Sequence, residues 1–152
     1  MSTPRRRVAA YVIRHRAGPE LLVFDHVGIP DAGTQIPAGG IEPGEDSHAA
    51  ALREVTEETG LDTCTVIGVV GIDHRPHPIT GQPRHTHVLH LRVPDDAPDT
   101  WTHTVRGTGT GTDTGLQFAC HFVPLPLPEP LADEQDLFLG HLDPDWTTLT
   151  RR

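Results

Sequence analysis

Residues 39–61 read GGIEPGEDSHAAALREVTEETGL, and this stretch decides the fold. From Asp46 to Thr59 it contains neither Pro nor Gly, Ala49, Ala50 and Ala51 favour helix, and Gly60 stands where a helix-terminating glycine belongs. The pattern predicts a helix over residues 46–59. At about 100° per residue, Glu54, Glu57 and Glu58 fall near ~0°, ~300° and ~40°, a single narrow face. Ala51, Val55, His48, Thr59 and Leu52 occupy a second stripe, from about 60° to about 160°, able to pack on a sheet. Carboxylates three and four residues apart repel, so the helix gains nothing from the cluster unless a cation sits among them. Hard oxygen ligands on a rigid element are what Mg²⁺ prefers. Charge runs on helices usually face water, and that is the competing reading. The upstream loop overturns it: Gly39, Gly40 and Gly44 bracket a tight turn that delivers Glu45 and exposes backbone groups beside the carboxylate face. Arg53, four residues before Glu57, is placed to hold that carboxylate by a charge-assisted hydrogen bond.

The rest of the chain is consistent with one domain spanning residues 1–152. Gly and Pro number 15 each, which implies long loops on a folded core rather than disorder, since 36% of residues are hydrophobic. The net charge is −9, and all twelve basic residues are Arg. An acidic chain makes a poor binder of a nucleic-acid polymer, whose affinity comes from counterion release by basic residues. Chemistry built on a catalytic lysine is excluded outright. Cys64 and Cys120 lie far apart without metal-type spacing, so a reduced cytoplasmic setting is expected. No segment approaches the ~18 apolar residues of a membrane span. Arg5, Arg6 and Arg7 before the apolar run 8–13 resemble a signal peptide, but the run is short and closes at Arg14, which fits a strand better.

Apolar and β-branched runs predict strands at residues 6–14, 21–24, 64–72, 86–93 and 117–123, with at most a short strand around residues 35–37. Residues 94–116 read as a long irregular segment holding Trp101 and a Thr–Gly run. Prolines at 124, 126, 128 and 130 make an extended connector, followed by a predicted amphipathic helix over residues 132–142.

Taken as a unit, Gly39, five residues, Glu45, seven residues, and then Arg53-Glu54-Val55-Thr56-Glu57-Glu58-Thr59-Gly60-Leu61 resembles the signature box of the Nudix hydrolase family. All seven fixed positions and both apolar ones are met, a coincidence on the order of 10⁻⁹ per starting position at equal residue frequencies. The resemblance implies an α/β/α sandwich around a mixed β-sheet. It also implies hydrolysis of the diphosphate linkage in a nucleoside diphosphate joined to another group. Under it Glu54, Glu57 and Glu58, with the Gly39 carbonyl, would be the metal ligands, Mg²⁺ or Mn²⁺ the cofactor, and one glutamate would orient or deprotonate the attacking water. Arg53 would hold the glutamates and Glu45 would support them. The expected partner is a small nucleotide, with no nucleic-acid polymer and no membrane; a homodimer stays open. The alternative is a module that kept the fold and binds nucleotides without turnover.

Outside the box the signals are thinner. Asp113 is the candidate for an additional acid, with Asp95, Asp96 and Asp99 competing. Trp101, Arg106 and Asp113 are candidate substrate contacts if residues 94–116 close as a lid; otherwise Trp101 anchors the segment to the core. Pro76, fifteen residues past the box, matches a mark of ADP-ribose-cleaving members and leans the substrate toward ADP-ribose-like compounds or nucleoside triphosphates. His74, His77, His85, His87 and His90 read as a polar strand surface rather than a zinc site, and His26 or His74 is placed to contact phosphate.

Overall fold

The computed structural model describes residues 3–105 and 115–151. Strand β1 (Arg5–His15) forms from the run of β-branched and apolar residues at its centre, and Gly18 turns the chain into β2 (Pro19–His26). Next come β3 (Ala38–Gly40), helix α1 (Ser47–Thr59), β4 (Thr65–Asp73), β5 (Arg84–Arg92), β6 (Thr100–Thr104) and β7 (Gln117–Pro124). Together the strands make one mixed sheet in the order β4–β5–β1–β2–β7–β6, with β3 also paired to β1. β1 runs parallel to β5 over its length and antiparallel to its other neighbours. Those neighbours divide it: Arg7, Val8 and Ala9 pair with β3, whereas Ile13, Arg14 and His15 pair with β2. This fork sets the glycine-rich loop beside the first half of β1.

Alternation sends β1 side chains to two cores. Val8, Ala10 and Val12 meet Ala50, Ala51 and Val55 of α1, together with Phe24, Leu89, Leu91 and Phe118. Ala9, Tyr11 and Ile13 face the opposite way, onto Leu127, Leu131 and Leu139 of the C-terminal segment. The layers are therefore α/β/α, as the resemblance implies, and each fully enclosed Leu or Phe contributes roughly 1.5–3 kcal/mol.

Three expectations are corrected. Residues 94–116 are not irregular throughout, because β6 lies within them. Its sequence, Thr-Trp-Thr-His-Thr, alternates exposed threonines with half-buried Trp101 and His103, a two-residue period masked by the surrounding Gly, Pro and Asp. Residues 132–142 are not one helix. Asp133 (φ 52°) and Glu134 (φ 50°) are left-handed, leaving a single 3-10 turn at Ala132–Glu134 and a short α2 (Leu139–Leu142). Tertiary bonds replace the helical ones: the Tyr11 hydroxyl donates to the Gln135 carbonyl and accepts from Phe138 N, and the Gln135 side chain accepts from Ile36 N at 2.9 Å. The short strand expected near residues 35–37 is instead a single bridge, Phe24 to Gln35, followed by β3.

Candidate active site

The helix that carries the carboxylates is fixed at both ends. Asp46 caps it by accepting from Ala49 N at 2.7 Å, and Gly60 ends it at φ 81°, its N–H reaching the Thr56 carbonyl. A side chain at Gly60 would be strained by that φ and would also press on the His103 ring.

Arg53 is the hub of the site. Its Nε and Nη2 donate to the two oxygens of Glu45 at 2.8 and 2.9 Å; Nη1 donates to Glu54 at 2.8 Å and Glu57 at 3.2 Å; Nη2 also reaches the Gly40 carbonyl at 2.8 Å. One guanidinium thus ties the loop, β3 and the carboxylate face together. Glu58 completes the face, accepting from Ala38 N at 2.7 Å through Oε1. The Glu54 carboxyl lies against the Cα of Gly39, where a Cβ would overlap it, so this approach requires glycine.

Burial, only partly offset by Arg53, pushes the Glu54 carboxyl up to about 7, with Glu57 adding to the rise. Glu45 is held below its usual range by its hydrogen bonds from Arg53, and these in turn raise the guanidinium pKa. The donor chemistry, hard carboxylate oxygens beside a buried acid that resists ionisation, fits a divalent cation. In the geometry seen, the carboxylates turn toward Arg53 and the Ala38 N–H; among the described residues no three His, Cys, Asp or Glu side chains converge as a metal-holding group. That holds for the histidines too, although the His74 and His85 rings meet edge-on at 4.5 Å.

Of the residues named outside the box, Arg106 and Asp113 lie outside the described residues. Trp101 is brought to the helix: its Nε1 donates to the Thr59 carbonyl at 2.7 Å, and its ring packs into the α1-side core. Next along β6, His103 Nε2 is 3.1 Å from the Glu57 carbonyl. Asp95 and Asp99 pair instead with Arg92 and Arg14, toward the end of β1 opposite the Gly39 loop.

Sequence reasoning missed the other side of the sheet. A small open cleft is lined there by Arg7, Ala38, Arg75, Arg84, Asp133 and Phe138, among others. These come from five separate segments, so no motif spacing announces them. Arg84 donates to Asp133 at 2.6 Å, while Arg75 grips Asp73 and reaches the Asp133 carbonyl. Among the described residues no helix is long and apolar enough to cross a membrane.

A family model for the NUDIX domain matches residues 3–136. Among curated proteins, Nudix hydrolase 25 of Arabidopsis thaliana is 42% identical over 50 residues, 33% of this chain and 28% of that protein. The RNA pyrophosphohydrolase of Roseobacter denitrificans is 61% identical over 31 residues, 20% of this chain and 19% of that one. The chain thus spans less than a third of the length of these two relatives. Among solved structures, a MutT NUDIX hydrolase from Burkholderia pseudomallei aligns with a TM-score of 0.62 at 19% identity, covering 93% of this chain and 99% of that one. The C. elegans Ap4A hydrolase gives 0.55 at 17% identity, covering 80% and 81%. At such identities the structural likeness speaks for the fold, and the matched sequence model speaks for descent: the chain belongs to the NUDIX domain family.

Proposed function

We propose that this chain hydrolyses the diphosphate linkage of a nucleoside diphosphate joined to another group, with Mg²⁺ or Mn²⁺ as cofactor. The observation that supports this most is the array of Glu54, Glu57 and Glu58 on one face of α1, with the first two tied to the loop glutamate Glu45 through Arg53. Glu54, Glu57 and Glu58, with the Gly39 carbonyl, would hold the metal. When bound, such an ion neutralises the diphosphate and lowers the pKa of a water. In the reaction a water oxygen bonds to one phosphorus and the bridging P–O bond breaks. The water's proton passes to a carboxylate of the array, and the other phosphate leaves with the bridging oxygen. Arg53 keeps the carboxylates in register through these steps, and Glu45 fixes Arg53. Without lysine, and at net charge −9, the chain handles an anionic substrate only with a cation between them. The relatives' names, pyrophosphohydrolase and Ap4A hydrolase, support the same reaction class.

The test is product release, with and without Mg²⁺, from nucleoside triphosphates, ADP-ribose, sugar nucleotides, dinucleoside polyphosphates and 5′-triphosphorylated RNA. Metal-dependent turnover of one class is the expected result. Tight nucleotide binding without any turnover would instead establish a silent binding module.

A further inference from the structure

Helix α1 ends against the edge strand β6, and that strand supplies donors to its last turn. Carbonyls at a helix C-terminus run out of intrahelical N–H groups. In a longer helix the Glu57 carbonyl would accept from Leu61 N. Gly60 turns the chain away, and Leu61 N goes to the Thr59 hydroxyl at 3.3 Å instead. Two inward-facing residues of β6 take over. Trp101 Nε1 donates to the Thr59 carbonyl at 2.7 Å, and His103 Nε2 donates to the Glu57 carbonyl at 3.1 Å. A carbonyl only accepts, so the His103 ring carries a proton on Nε2 in this contact.

The two contacts serve different ends. Thr59 turns its side chain back into the helix, its hydroxyl donating to the Val55 carbonyl at 2.7 Å, whereas Glu57 carries one of the three carboxylates of the array. Among the hydrogen bonds of Arg53, the one to Glu57 is the longest at 3.2 Å. Glu57 is therefore held at its tip by Arg53 and at its backbone by His103. The His103 ring also lies against Gly60, with Nδ1 2.9 Å from where a Cβ would stand. The glycine that ends the helix thus makes room for the ring that caps it.

We propose that His103 is a positioning residue for the metal-holding face. By fixing the Glu57 carbonyl it sets where the Glu57 and Glu58 side chains start, and so how well they converge on a divalent cation. This rests on the metal-dependent reading above and adds to it a residue 46 positions beyond Glu57, outside the box. Helix ends fray when their carbonyls are not capped. Tight coordination needs each ligand in place to within about 0.5 Å, so a frayed last turn costs metal affinity while the fold stands.

The first readout is Mn²⁺ binding to EDTA-treated, desalted protein, from the EPR signal of free Mn²⁺, without substrate and well below the Tm of every variant. His103→Ala should weaken binding about tenfold, the usual scale for losing the support of a metal ligand. His103→Gln, whose amide reaches the same carbonyl, should recover affinity to within about threefold of wild type. In the Mg²⁺-dependent assay His103→Ala should lower kcat and leave KM for the nucleotide at saturating metal within about twofold. If His103→Ala does not fold, His103→Leu, which fills the space without a donor, takes its place. Wild-type Mn²⁺ affinity in a donor-less variant whose Tm has fallen overturns the proposal and makes His103 only a fastener of β6. So does His103→Gln binding Mn²⁺ as weakly as His103→Ala. If wild type binds Mn²⁺ but turns over no substrate, the hydrolase reading fails, and loss of Mn²⁺ in His103→Ala still supports the positioning role. No Mn²⁺ binding by wild type overturns both.

Discussion

Arg53 and Glu45 face each other in a two-pronged bond, Nε to Oε2 at 2.8 Å and Nη2 to Oε1 at 2.9 Å, across eight residues of sequence. That pair closes the glycine loop onto the helix. Both side chains are largely buried, at 20% and 15% exposure, so the bond is worth more than a surface pair. Arg53→Lys cannot reproduce the fork. It should lower Tm by about 3–8 °C, the equivalent of roughly 1–2 kcal/mol in a domain of this size. A melt showing no change would mean that water satisfies Glu45 equally well.

The same pair sets an acid limit. Because Arg53 holds Glu45 below its usual range, the stability it contributes is complete at neutral pH. That contribution is lost as pH falls below the ordinary carboxylate value and through the depressed one. Glu45→Gln should therefore show a shallower loss of Tm on acidification than wild type, measured by thermal melts between about pH 6 and pH 3.

Glu54 behaves in the opposite sense. Its carboxyl titrates near 7 in the folded chain, so its protonated form stabilises at low pH, and this contribution is lost as pH rises from the ordinary value through about 7. Metal-free Glu54→Gln should then melt higher than wild type at pH 8, by about 1–3 kcal/mol, with the difference vanishing near pH 4. Adding Mg²⁺ should raise the wild-type Tm and leave the variant nearly unmoved. A variant that melts lower at pH 8 would show that the charged Arg53–Glu54 contact outweighs burial.

Trp101 reaches the Thr59 carbonyl at the end of α1 and packs among core residues, a contact that anchors β6 to the helix. Trp101→Ala should cost about 2–4 kcal/mol in a melt and leave the ratio of kcat/KM values between two substrates unchanged. A changed ratio with an unchanged Tm would return Trp101 to the lid role.

How much of this was legible in the sequence follows from how local each signal is. The helix over 46–59, its cap glycine and the carboxylate face depend on contacts within a few residues, and they stand as read. The strands around Val12, Phe24, Val69, Leu89 and Cys120 carried their own β-branched or apolar runs. β6 was hidden because a Thr-Trp-Thr-His-Thr strand shows its period only once Thr59 and Phe122 are beside it. The expected C-terminal helix failed because Tyr11, over a hundred residues away, takes the Gln135 carbonyl and the Phe138 N–H. The cleft on the far face was not legible because it joins Arg7 to Thr86 through the parallel pairing of β1 with β5, which no spacing in the sequence encodes.

The most direct measurement is the initial rate of diphosphate cleavage on the preferred substrate as MgCl₂ is titrated into EDTA-treated protein, run in parallel on wild type, Glu57→Gln and Glu58→Gln. Wild type should be inactive without metal and saturate with it. Each variant should lose on the order of 10²-fold or more in kcat at saturating metal, with the fold intact by melting curve. Turnover that ignores the metal, or variants that reach the wild-type rate at saturating Mg²⁺, would contradict a reaction carried by the glutamate face of α1.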